Sequence, residues 1–253
     1  MNSTPIQPND YLDEGAYVGN IMDFITNDEY NEMLSVVEKV KEYSIVNRDT
    51  ELYCRYMINL SNESQDYQNY DHKIPLSEVE SRDLFIKENN FTIFQKWFEF
   101  SMKTLPEKPD YFEFFVKFCK RILDHFYPNY EINYGARTGG FTLYEDGHFI
   151  TDHKDGNNVG RVCVVIMYLS PESEYNNDGG GELVIKTNSH KEYTIKPILG
   201  TFSLLDFSEN DIHHQVNMVK NGFKRYAFIN FFNLKEGQEF IVRKDKKDFT
   251  KII

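Results

Sequence analysis

The stretch Tyr144-Glu-Asp-Gly-His-Phe-Ile-Thr-Asp-His-Lys-Asp155 decides how this chain is read. It closes on His153-x-Asp155. On an extended chain residues i and i+2 point the same way, so both side chains can grip one ion. Taken alone the pair is weak, because two common polar residues meet often by chance. Weight comes from a partner about sixty residues on, His214-Gln-Val216, followed by Gly222-x-Lys224-Arg225. Two imidazoles and one carboxylate can hold one face of an Fe(II) ion and leave the opposite positions open. The third ligand must then come from a neighbouring strand.

Outward from this stretch, the second half of the chain reads as strands. The expected ones are 132–136, 141–144, 161–169, 182–185, 192–195, 201–207, 215–219 and 225–232, separated by short turns such as Thr138-Gly-Gly140 and Asp178-Gly-Gly-Gly181. The glycine run lacks the lysine and following helix of a phosphate loop, so it reads as a tight turn. Val162 to Leu169 is apolar on both alternating faces, as expected of a strand covered by helices.

The first half reads as helical. Tyr17 to Ile25 is mostly apolar and could be a strand. Thr26-Asn-Asp-Glu29 is a capping box ahead of Tyr30, Met33, Leu34 and Val37, which predicts a helix to about Tyr43. Ile93, Phe94, Trp97 and Phe98 suggest another. Asp110 and Glu113 cap a third, whose stripe of Phe112, Phe115, Cys119, Ile122 and Phe126 runs to the stop at Pro128. Residues 47–90 are polar and irregular, either a surface excursion or a segment covering substrate. The fold class expected is therefore mainly β with helices: a double-stranded β-helix, or jelly roll, with N-terminal helices on one sheet. The expected organisation is a lead-in at 1–15, a single domain at 16–233 (helical half 16–128, jelly-roll core 130–233) and a charged tail at 234–253.

The motifs resemble those of the 2-oxoglutarate- and Fe(II)-dependent oxygenases, in the prolyl 4-hydroxylase-like branch. Tyr144-x-x-Gly147 leading into His153-x-Asp155 is similar to that branch's first metal motif. Arg161 to Leu169, the turn Gly180-Gly-Glu-Leu183, and Gly200 to Phe207 followed by His214-x-Val216, Val219 and Gly222 are similar to its later segments. The clear likeness covers 130–232, and 45–128 has no counterpart in it.

The resemblance implies Fe(II) held by His153, Asp155 and His214, with 2-oxoglutarate and dioxygen as cosubstrates and ascorbate as an optional addition. It implies hydroxylation of an unactivated C–H bond, yielding succinate and carbon dioxide. The substrate would be a prolyl or lysyl residue in a peptide or protein, or an amino acid. Tyr144 and Tyr168 would offer their hydroxyls to the cosubstrate. A cation for its distal carboxylate is implied just after Gly222, where Lys224 and Arg225 face opposite ways. Arg225 is favoured because its side of the strand continues through Ala227, Ile229 and Phe231, an apolar lining. One extra residue of spacing keeps Lys224 in play. Asp155 fills the position a halide would need, so halogenation is not expected. His213 competes with His214, but adjacent strand residues point apart and the His-x-Val register favours His214. His148 is expected to be exposed.

Composition sets outer bounds. With 21 Phe, 17 Tyr and 40% hydrophobic residues, the chain can bury a sizeable core. A net charge of −12 argues against a nucleic-acid partner. The absence of a long apolar run argues against a membrane span. Three widely spaced cysteines fit neither a disulfide framework nor a zinc finger, and a reducing, cytoplasmic setting is expected. The competing expectation is a non-oxidative, cupin-like metal protein or a binding module on the same scaffold.

Overall fold

The computed structural model describes residues 11–12, 15–59, 69–100, 111–128, 130–135, 139–155, 161–187, 190–207 and 212–236. Its N-terminal elements are β1 (Tyr11–Leu12), β2 (Ala16–Asn20), α1 (Asn27–Val46), α2 (Arg48–Glu51), β3 (Leu52–Asn59), β4 (Asn69–Pro75), α3 (Val79–Glu88), β5 (Thr92–Phe100) and α4 (Tyr111–Phe126). Then come β6 (Ile132–Asn133), β7 (Gly140–Tyr144), β8 (Phe149–His153), β9 (Arg161–Tyr168), β10 (Leu183–Lys186), β11 (Glu192–Ile195), β12 (Thr201–Asp206), β13 (His213–Val216) and β14 (Arg225–Leu234).

Two antiparallel layers form a jelly roll. One runs β12-β9-β14-β7 and the other β8-β13-β10-β11. Strand β5 pairs with β7 through Phe98–Phe100 and with β8 through Gln95 and Lys96, so it joins the layers along one side. Beyond β5 lie β3 and β4, which extend the wall.

Strand β9 shows how the sequence places two cores. Val164, Ile166 and Tyr168 point between the layers, with Leu183, Ile185, Val216 and Ala227. Cys163, Val165, Met167 and Leu169 point the other way, into a core shared with α1 and α4. Helix α4 lays its aromatic stripe on β14: the rings of Phe112 and Phe115 lie 5.3 and 5.1 Å from that of Phe228. Helix α1 starts at the expected capping box of Thr26 and Glu29. Glu29 also takes two hydrogen bonds from Arg121, at 2.6 and 2.7 Å, tying α1 to α4.

Several expectations need correction. Residues 93–98 are strand β5, not helix. Phe94, Phe98 and Phe100 alternate with Gln95, Trp97 and Glu99, a period of two that a short window confuses with helical spacing. Residues 52–59 are a strand whose Leu52, Cys54, Tyr56 and Ile58 are all buried. Among the described residues of the irregular segment there are thus the strands β3 and β4 and the helices α2 and α3. Strand β8 was not expected, because its residues are half-buried and mostly polar. Strand β13 begins at His213, not Gln215, and ends at Val216. Tyr17 to Ile25 is strand only to Asn20, then a 3-10 turn. His148 is buried, not exposed, with its ring edge-on to Phe98 at 4.5 Å. Residues 1–10 and 13–14 of the lead-in, 237–253 of the tail, and Asp110, Ala136 and Thr138 lie outside the described residues. All three cysteines are free and buried. No helix among the described residues is long and apolar enough to cross a membrane.

Candidate active site

Cross-strand pairing assembles the candidate metal-ligating cluster. Strand β13 lies between β8 and β10, with His214 directly opposite His153. Strand β8 ends at His153, and Asp155 follows two residues on. One ligand atom from each of His153, Asp155 and His214 lies within 4.8 Å of the others. Asp155 Oδ2 is 3.1 Å from His214 Nε2, and Oδ1 is 3.5 Å from His153 Nε2. His153 Nδ1 donates to the Thr151 carbonyl at 2.9 Å, and Nε2 faces the cluster.

The protonation pattern suits a cation. Burial works against the Asp155 carboxylate, but hydrogen bonds from His153 and His214 hold it well below the usual range. Burial holds the His214 imidazole down and neutral. At His153 burial also lowers, but the neighbouring Asp155 outweighs it and raises the value. His213 faces out: its side chain is 42% exposed and pairs with Asp152 at 3.0 Å.

A cavity of about 620 Å³ opens between the layers beside this cluster. Arg225 reaches into it and is fully buried. Its Nε donates to the Gly181 carbonyl at 2.8 Å, while Nη1 and Nη2 have no hydrogen-bond partner among the described residues. The guanidinium carbon sits 4.8 Å from the Tyr144 ring and 5.4 Å from the Tyr168 ring. Lys224 faces away, 47% exposed and 3.6 Å from Glu145.

This register has an identifiable cause. The Ser170 hydroxyl accepts from Tyr226 N–H and donates to the Lys224 carbonyl, both at 2.8 Å, pinning the start of β14. Pairing with β7 sets Arg225 opposite Tyr144, and pairing with β9 sets Ala227 opposite Tyr168. Gly181 has φ +78°, and a Cβ there would come within 3.2 Å of Arg225 Cδ. The turn is therefore glycine for two reasons: its backbone and the arginine stem passing over it.

Burial pushes the Tyr144 hydroxyl above its usual range, with the Arg225 charge opposing. Tyr168 is shifted up by burial too, against the pull of Arg225 and of Ser203, whose Oγ is 2.9 Å from its hydroxyl.

Residues 139–233 match the family described as the 2OG-Fe(II) oxygenase superfamily. They carry both imidazoles, the carboxylate and the buried guanidinium. Among solved structures, the chain resembles a prolyl-4-hydroxylase from Pseudomonas putida. That match has TM-score 0.52 and 13% identity over 87% of this chain and 93% of the other. It also resembles a prolyl hydroxylase from Trichoplax adhaerens, solved in complex with a hypoxia inducible factor oxygen degradation domain peptide fragment. Here the TM-score is 0.51, with 16% identity over 87% and 83% of the two chains. At these identities the likeness is one of fold. No curated protein matches the sequence.

The residues present fit the Fe(II) and 2-oxoglutarate of the matched family. The metal's fit rests on the donor set: two imidazole nitrogens and a carboxylate around one point. The cosubstrate's fit rests on the orphaned Nη1 and Nη2 of Arg225, since a buried guanidinium with an open fork calls for a carboxylate.

The far wall holds residues that sequence reasoning missed. Arg55 and Met57 from β3, with Gln95, Trp97 and Glu99 from β5, line the cavity. The signal was present in Leu52-x-Cys54-x-Tyr56-x-Ile58, whose strict alternation leaves Arg55 and Met57 on the opposite face. Ser170 and Gly181 carried no signal of their roles, which depend on residues far away in the chain.

Proposed function

We propose that the chain is a 2-oxoglutarate- and Fe(II)-dependent hydroxylase acting on a C–H bond of a prolyl residue in a peptide or protein. Lysyl residues and free amino acids are the next substrates to try. His153, Asp155 and His214 hold the metal. When bound, the metal and 2-oxoglutarate together activate dioxygen, and succinate and carbon dioxide are released.

The chain's own residues do the rest. Arg225 takes the distal carboxylate of 2-oxoglutarate through Nη1 and Nη2, while Gly181 holds Nε and fixes the plane of the fork. Tyr144 closes the same end, its ring against the guanidinium and stacked on Trp97 at 6.3 Å. Tyr168 supports the guanidinium from below, held by Ser203. Val164, Ile166 and Ile229 line the cavity and limit water around the charged groups.

The observation that carries this reading is the buried, open-forked Arg225 in the same cavity as the His153–Asp155–His214 cluster. A non-oxidative metal protein does not require that cation. Anaerobic addition of Fe(II) and then 2-oxoglutarate should produce the weak visible charge-transfer band of the chelate. Proline-containing peptides should then stimulate succinate formation in air. Absence of the band would return the site to the non-oxidative reading.

A further inference from the structure

One wall of the cavity holds a polar group that neither the metal cluster nor the cosubstrate end uses. Gln95 on β5 is 7% exposed and lines the cavity. Its carboxamide makes no hydrogen bond among the described residues.

Strand pairing fixes what surrounds it. Gln95 stands opposite Met57 of β3 and Ile150 of β8. Ile150 stands opposite Val216 of β13, and Val216 opposite Leu183 of β10. Directly opposed residues share one face of a sheet, and all five line the cavity. Gln95 is the one polar member of this row. A wall built for packing alone would carry an apolar residue there, because a buried amide without a partner is costly.

The row borders both groups already described. Two residues along β5, Trp97 stacks on Tyr144, whose ring covers the Arg225 guanidinium. Two residues back along β13 from Val216 is His214. As a dianion, 2-oxoglutarate carries only acceptor oxygens and methylene carbons, so nothing in it can donate to the Gln95 carbonyl oxygen. A primary carboxamide holds an acceptor and a donor side by side. An extended residue holds its own N–H and C=O side by side in the same way, which is how antiparallel strands exchange paired bonds.

We infer that Gln95 binds the peptide main chain beside the reacting residue, bridging the N–H and C=O of one extended residue. A proline has no N–H, so the bridged residue is a neighbour of the reacting proline in the substrate. Recognition of this kind favours a peptide over a free amino acid, whose ammonium and carboxylate would meet a neutral amide and stay uncompensated. The inference rests on the proposed hydroxylase reading, because it gives Arg225 to the cosubstrate and the His153–Asp155–His214 cluster to the metal.

Trp97 is the chain's single tryptophan and lines the same cavity, so its emission reports on binding there. The protein is first loaded anaerobically with Fe(II) and 2-oxoglutarate and the visible band recorded. A short blocked peptide of alanines around a central proline is then titrated against Trp97 emission. Alongside it go free proline and two analogues in which an ester oxygen replaces the N–H of the alanine before or after the proline. The peptide should bind about fivefold tighter than one of the two ester analogues, and tighter than free proline. Gln95→Met is of similar length and volume but lacks the amide. It should weaken the peptide about twentyfold and that ester analogue only about fivefold, since one of the two bonds is already gone. Its affinity for 2-oxoglutarate, read from the band, should stay within about twofold, and thermal unfolding verifies that it is folded. The inference is overturned, and the hydroxylase reading left standing, by any of three results obtained with the band present. These are a loss of 2-oxoglutarate affinity in Gln95→Met, an equal loss for peptide and both ester analogues, and no response of Trp97 to any probe. Absence of the band removes the hydroxylase reading, and this inference with it.

Discussion

Replacing Arg225 is the sharpest test of the cavity's chemistry. Its Nη1 and Nη2 have no partner among the described residues, so a 2-oxoglutarate carboxylate would meet two donors already in place. Breaking a buried, hydrogen-bonded charge pair costs about 3–5 kcal/mol, or roughly two to nearly four orders of magnitude in affinity. Arg225→Ala also leaves room for water beside Gly181, and that hydration recovers part of the loss. We expect the dissociation constant for 2-oxoglutarate to rise about a hundredfold. Arg225→Lys keeps the charge but loses the fork and the Nε bond to Gly181, so about tenfold is expected. Lys224→Ala should change it less than about twofold, since its ammonium is 47% exposed against Glu145.

The assay is anaerobic titration of the visible band at saturating Fe(II), paired with thermal unfolding. Without cosubstrate, Arg225→Ala removes a buried charge whose Nη1 and Nη2 lack partners, at the loss of the Nε bond to Gly181, so the apo protein should lose little stability. The stabilisation that 2-oxoglutarate gives the wild type should vanish in the variant. If Lys224→Ala proves the damaged variant, or if Arg225→Ala keeps its affinity, the reasoning from the open fork is wrong.

Asp155→Ala should abolish turnover and weaken Fe(II) binding, whereas His213→Ala should leave iron binding within about twofold, as expected of an exposed side chain paired with Asp152; equilibrium dialysis of iron separates them. Gly181→Ala must adopt φ +78° with its Cβ 3.1 Å from Val219 and 3.2 Å from Arg225. It should cost about 1–2 kcal/mol in urea unfolding and also weaken 2-oxoglutarate binding, because the carbonyl that holds Nε moves. Burial, with Lys96 nearby, pushes the His148 imidazole down to about 4 from 6.5. The unfolded chain therefore binds the proton first, and stability falls as pH drops from about 6.5 toward 4. His148→Gln should recover about 2 kcal/mol of that fall at about pH 4.5, measured against wild type by denaturant unfolding. A parallel decline in both proteins would show that His148 is not the titrating group.

Much of the core and the site was readable in the chain because its signals are local. The alternation of Val162 to Leu169 needs only a pleated strand to send Val164 and Ile166 inward and Val165 and Met167 toward the helices. The Thr26–Glu29 box and the aromatic stripe of α4 are one-turn patterns of the same kind. His153-x-Asp155 states its own geometry, and the His-x-Val register picked out the buried histidine of the 213–214 pair. Tertiary structure alone decided the rest. Whether Lys224 or Arg225 enters the cavity is a matter of register, and register is held here by Ser170, more than fifty residues away. Local spacing could not tell β5 from a helix, because four apolar residues in a short window fit both periods. What makes it a strand is a free edge on each side, filled by β3 on one and by β7 and β8 on the other. Those pairings turn a polar, irregular-looking segment into the cavity's far wall and carry Arg55, Trp97 and Glu99 to the rim, where their charge and shape face whatever the site binds.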